Sequence, residues 1–163
     1  MSDEIPAYGQ GEGALERIKA MMQWTPHGRA LGFELLRVEN GKVFAKTPYR
    51  ADLVGDPETG VIAGGVITTF LDQVCGMATV LGMPAPSTIA TIDLRIDYMR
   101  PAIPGRDIYA EAQCTKVGRS VAFVQALAYE EDASDPVARG VATFMINSNA
   151  GRKIGANYKP PRT

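Results

Sequence analysis

Histidine occurs once in this chain, at His27, and cysteine only twice, at Cys75 and Cys114. Nucleophilic catalysis of the Ser-His-Asp or Cys-His kind needs an imidazole as base, and His27 is the sole supply. It follows Pro26 at an expected helix end, a place for a cap or a surface residue, so triad chemistry is set aside. The two cysteines lie in apolar segments without metal-ligand spacing, and no metal is expected. They read as reduced thiols acting as small hydrophobes, as in a cytoplasmic protein. Charge is nearly balanced, with 17 Lys and Arg against 18 Asp and Glu. That balance gives no global attraction to nucleic acid. Apolar runs are broken by glycine and polar residues, short of an expected membrane span. No cationic segment followed by an apolar core opens the sequence, so export is not expected.

What is present is a clear order of elements. The length of 163 residues suits one domain over 14–147, between a polar lead-in (1–13) and a tail (148–163). Within the lead-in, Gly9-Gln10-Gly11-Glu12-Gly13 lacks the preceding strand that a phosphate loop needs. Leu15, Ile18, Met21 and Met22 fall at helical spacing, with the helix ending near Pro26. Phe33 to Glu39 and Lys42 to Thr47 predict two strands joined by Asn40-Gly41, a hairpin turn. A loop over 50–63 leads into an apolar helix, Val66 to Leu81. Four further strands are predicted over 89–99, 108–117, 121–129 and 137–146, with turns at Pro104-Gly105, Gly118-Arg119 and Asp132 to Pro136. The expected class is α+β. A helix apolar nearly all round must be wrapped by a curled sheet or covered by a second copy.

The stretch Gly64-Gly65-Val66-Ile67-Thr68-Thr69-Phe70-Leu71-Asp72 carries the chemistry. Asp72 is the only formally charged residue of the apolar helix. An isolated carboxylate there must be partnered or lie in a wet cleft, as active-site carboxylates do. Seven residues of helix span about 10 Å, the distance along the axis from Gly65 to Asp72.

These residues, with Thr91-Ile92-Asp93-Leu94-Arg95-Ile96-Asp97-Tyr98-Met99-Arg100-Pro101-Ala102, Gly118-Arg119-Ser120 and Val137-Ala138-Arg139-Gly140, resemble the PaaI-like acyl-CoA thioesterases of the hotdog fold. The resemblance spans about residues 30–147. It implies an antiparallel sheet wrapped around the central helix and hydrolysis of an aryl- or acyl-CoA thioester to the free acid and CoA, with no cofactor. By resemblance Asp72 is general base or nucleophile, the Gly65 N–H is the oxyanion donor, and the Thr91 hydroxyl helps to hold the attacking water. It further implies a homodimer, itself expected to pair into a tetramer, in which antiparallel helices bring the glycines of one copy to the carboxylate of the other.

The chain departs from that pattern at Ala63, where many relatives carry a histidine before the glycine pair. Asp56-Pro57 stands where relatives have an asparagine, so Asp56 is a candidate orienting group. Gly64 and Ala63 then join the substrate-binding set. Arg100, Arg119 and Arg139 are candidate partners for the CoA phosphates, and Gly118 and Ser120 for the pantetheine or nucleotide. Phe70, Val74 and Met77 are candidates for the acyl pocket. The loss of a side-chain donor at position 63 also leaves open a non-catalytic acyl-CoA or acyl-carrier binding module. A hydratase of the same fold is disfavoured, because such enzymes pair a carboxylate with histidine.

Overall fold

The computed structural model describes residues 13–85 and 87–147. The lead-in up to residue 12, its glycine-rich run and the tail from 148 lie outside the described residues. Helix α1 (Ala14–Trp24) is followed by a second helix, α2 (Pro26–Leu31). Pro26 therefore starts a helix where the sequence suggested only an end. Its fixed φ suits the first helical position, and the missing N–H costs nothing there.

Strands β1 (Glu34–Glu39) and β2 (Lys42–Thr47) form the predicted hairpin. Asn40 and Gly41 both take positive φ, 51° and 73°, as the tight turn between twisted strands requires. The predicted loop over 50–63 contains more structure than expected: a 3-10 turn at Ala51–Leu53 and a small hairpin of β3 (Val54–Asp56) and β4 (Val61–Ile62). Helix α3 (Gly64–Gly82) comes next, then β5 (Thr88–Tyr98), β6 (Ile108–Val117), β7 (Val121–Tyr129) and β8 (Ala138–Asn147). The main sheet is antiparallel with order β1-β2-β6-β7-β8-β5.

α3 lies across the inner face of this sheet, chiefly against β6, β7 and β2. The inner positions there are small: Ala110, Ala112, Ala122, Ala126, Ala128 and Ala142 are all buried. Large side chains of the helix fill the space, with Phe70, Leu71 and Val74 fully buried. Each such side chain contributes about 1.5–3 kcal/mol. The Phe70 ring also meets Phe33, centroids 4.9 Å apart. By length and composition α3 could cross a membrane, contrary to the reading of its interrupted apolar run, but 67% of its apolar window is buried in this protein. It is a core helix.

Two consequences of the topology place the site. Among the described residues β5 is an edge strand of 11 residues, paired only on its β8 side. A bulge between Thr91 and Asp93 shifts its register against β8, which re-aims the side chains around it.

Candidate active site

Asp72 sits halfway along α3, half-buried, and faces the bulged segment of β5. Thr91 Oγ1 donates to Asp72 Oδ1 at 2.9 Å. The two residues lie 19 apart in sequence, and the bulge delivers the hydroxyl to the helix. Around them is a cleft of about 250 Å³ lined by Met21, Thr25, Gln73, Met77, Ile89 and Phe144 among others. Gln73 Nε2 donates to Thr25 Oγ1 at 2.9 Å, which ties the α1–α2 joint to the helix beside the carboxylate. Gly28 of α2 permits this approach: a Cβ there would lie 2.6 Å from Gln73 Oε1.

Cys75, one turn from Asp72, is fully buried. Burial, with the Asp72 charge adding to it, pushes its thiol up to about 12. It remains a protonated thiol at neutral pH and cannot serve as a nucleophile. Among the described residues no cluster of three or more His, Cys, Asp or Glu could hold a metal ion.

The glycine pair opens α3, away from this cleft. Ala63 is the N-cap of α3, extended at φ −62° and ψ 133°, without a side-chain cap bond. Its carbonyl accepts from Val66 N at 3.0 Å. Gly64 and Gly65 are exposed, and a Cβ on Gly65 would meet nothing within 4 Å. A cleft of about 380 Å³ opens beside Gly64, lined by Ile67, Tyr98, Met99, Arg100 and Val137 among others. It shares no lining residue with the Asp72 cleft. Asp72 and the glycine pair thus border two separate clefts of one chain.

Several candidate binding residues are occupied elsewhere. All five N–H donors of Arg100 are engaged: Nε with Asp135, Nη1 with Pro101 O and Glu130, Nη2 with Glu130 and Asp135 O. The Glu130 side chain is 1% exposed and also accepts from Ile103 N at 2.8 Å. Burial works to raise the Glu130 carboxyl, but the Arg100 guanidinium and the Ile103 N–H outweigh it and hold it below its usual range. Arg100 is a strut between loops, and the expectation that it meets a phosphate does not fit this arrangement.

Arg139 does not fit either. It lies on the outer face of the sheet, opposite Asp97, and borders a groove apart from both of those clefts. Asp56 accepts from Thr59 Oγ1 at 2.6 Å and Glu58 N at 3.0 Å; the Thr59 hydroxyl, then the Glu58 N–H, lower its carboxyl. Its oxygens are spent on the turn between β3 and β4. Phe70 and Val74 belong to the core, while Met77 does line the Asp72 cleft. Arg119 and Ser120 are exposed on the β6–β7 turn, closed by Gly118 N to Val121 O at 2.8 Å. This turn stands near the C-terminal end of α3, where Cys114 and Val117 pack on Gly82. His27 is exposed on α2.

Sequence reasoning passed over Tyr98, Thr68, Gln73 and Glu130. Tyr98 was visible only as part of a motif, and Glu130 only as the first acid of Glu130-Glu131-Asp132.

A long helix on a curled antiparallel sheet, with a carboxylate mid-helix and a glycine pair at its start, defines a hotdog-fold hydrolase. Comparison with known proteins agrees. Residues 59–136 match the family model of the thioesterase superfamily. The medium/long-chain acyl-CoA thioesterase YigI of Salmonella typhimurium is 31% identical over 151 residues, 83% of this chain and 95% of that protein. Human acyl-coenzyme A thioesterase 13 is 33% identical over 112 residues, 66% of this chain and 76% of its own. A match to a Halobacterium salinarum protein, 32% identical, covers 64% of that relative. A crystal structure of a Pseudomonas aeruginosa protein superposes with a TM-score of 0.74 at 38% identity, covering 80% of this chain and 97% of that one. The chain belongs to the hotdog thioesterase superfamily and is a thioester hydrolase, which sets aside the binding-module alternative.

Proposed function

We propose that the protein is an acyl-CoA thioesterase whose active site is shared between two copies of the chain. The observation that carries this reading is the Thr91–Asp72 pair in an apolar cleft, remote from the glycine N–H groups that would bind an oxyanion. Asp72 acts as general base on water or as nucleophile, with Thr91 fixing the carboxylate. The Gly65 N–H of a second copy receives the negative charge that builds on the thioester oxygen.

β5 supplies the means of assembly. Among the described residues of one chain its outer edge is unpaired, and Ile92 at the bulge is 58% exposed, a liability that a partner strand would cover. Antiparallel pairing of two β5 strands about a two-fold axis continues the sheet and lays the two α3 helices side by side in opposite directions. That arrangement brings Gly65 of each toward Asp72 of the other.

Met21, Met77, Ile89 and Phe144 offer the acyl group an apolar wall. The names of the YigI and thioesterase 13 relatives support an acyl-CoA substrate. Arg119, with Gly118 and Ser120, is the remaining candidate for the CoA phosphates.

The test is thiol release over a panel of acyl- and aryl-CoA esters, with Asp72→Asn as control. We expect turnover on at least one class of ester and a loss of about 10²- to 10⁴-fold in kcat for the variant. Full activity of Asp72→Asn removes Asp72 from the chemistry, and a blank panel for the wild type removes the acyl-CoA reading.

A further inference from the structure

Two hydroxyls converge on one backbone oxygen at the start of α3. Tyr98 Oη donates to Gly64 O at 2.6 Å, and Thr68 Oγ1 donates to the same oxygen at 3.1 Å. The two hydroxyl oxygens are 2.8 Å apart. Gly64 C=O and Gly65 N–H are opposite ends of a single peptide group, linked by resonance. A proton donated to the oxygen draws electron density from the nitrogen, so the N–H becomes a stronger donor.

The geometry of the pair adds a second effect. With glycine on both sides, this peptide lacks the Cβ contacts that restrict rotation of its plane. Tyr98 holds the plane from β5, a different element, while Thr68 bonds back one turn along α3 itself. The carbonyl is therefore held from β5 by Tyr98 and from within α3 by Thr68, two hydroxyls that also contact each other, while Gly65 at the other end of the peptide is exposed. No side-chain donor stands at position 63 to assist.

We propose that Tyr98, assisted by Thr68, is a positioning residue that orients and polarises the Gly64–Gly65 peptide as the oxyanion donor. This rests on the reading of the Gly65 N–H given above. Tyr98 touches the peptide and not the reacting atoms, so its effect falls on the transition state, where charge on the thioester oxygen is greatest.

The test is Tyr98→Phe, which keeps the ring and removes only the hydroxyl. Expected are a kcat lowered about three- to tenfold, KM unchanged, and an upfield move of the Gly65 amide nitrogen resonance. Thr68→Val has a smaller effect in the same direction, and the double variant loses less than the product of the two. A merely structural role would lower the unfolding temperature and leave kcat alone. Unchanged kcat in Tyr98→Phe overturns the proposal while leaving the thioesterase reading intact. Absence of thiol release from the wild type overturns the thioesterase reading instead. In that case the donor is read by binding of a CoA ketone, which keeps the carbonyl, against the CoA thioether, which lacks it. Tyr98→Phe weakens the ketone selectively if the proposal holds, and equal preference in both proteins overturns it.

Discussion

Replacing Gly65 by alanine separates what this position does for folding from what it does for substrate. A Cβ built there meets nothing within 4 Å, and Gly65 is not among the glycines with positive φ. It lies in the first turn of α3, where alanine restricts the unfolded chain more than glycine does. Such a change stabilises a helix by about 0.5–1 kcal/mol. For a chain of this size that raises the unfolding temperature by about 1–4 °C. The same methyl group projects from the backbone surface that a thioester must approach. We therefore expect kcat/KM to fall while stability rises, read by thermal unfolding and thiol release on one preparation. Loss of one oxyanion donor costs about 10²- to 10³-fold, which bounds the effect from above. A folded Gly65→Ala variant with wild-type kcat/KM refutes the assignment of this backbone. A marked loss of stability refutes the reasoning about open space.

Arg100→Ala strands Glu130, whose side chain is 1% exposed, and is expected to cost about 3 kcal/mol at pH 7, measured by urea unfolding. KM for a CoA ester changes little, whereas a raised KM with unchanged stability would restore Arg100 as a phosphate ligand. Because Arg100 and Ile103 hold the Glu130 carboxyl low, its stabilising contribution is full above its ordinary value of 4.5 and is lost as pH falls through the lowered folded value. Glu130→Gln is expected to flatten that acid limb of the stability curve. Thr91→Val removes the hydroxyl bonded to Asp72 and is expected to lower kcat about fivefold, equivalent to one hydrogen bond of about 1 kcal/mol; an unchanged kcat would reduce Thr91 to a strand-forming residue.

Much of the scaffold was legible because its signals are local. The Asn40-Gly41 turn, the alternation over 121–129 and the all-round apolar helix each announce themselves within a short window. The separation of Gly65 from Asp72 was legible too, because the helical rise alone sets it. α2 was missed because its six residues include Gly28, which weakens any helical signal and is explained only by close contact with Gln73. The arginines show the other limit. Arg100, Arg119 and Arg139 look alike in sequence, yet Arg100 is consumed by a buried glutamate and Arg139 lies on the outer face of the sheet. Tyr98 is intermediate: its strand was predictable, while its bond to Gly64 depends on the inner face of β5 meeting the helix start.

The shared site is tested most directly by mixing two inactive variants. Asp72→Asn keeps a sound glycine end, and Gly65→Val keeps a sound carboxylate. If each site takes Gly65 from one copy and Asp72 from the other, a mixed dimer holds one intact site and one doubly broken site. Random pairing of equal amounts, after co-refolding, should then restore about a quarter of wild-type activity. Recovery near that level is the predicted result. No recovery from a mixture shown to contain mixed dimers would contradict the account, because both halves of each site would then belong to one chain.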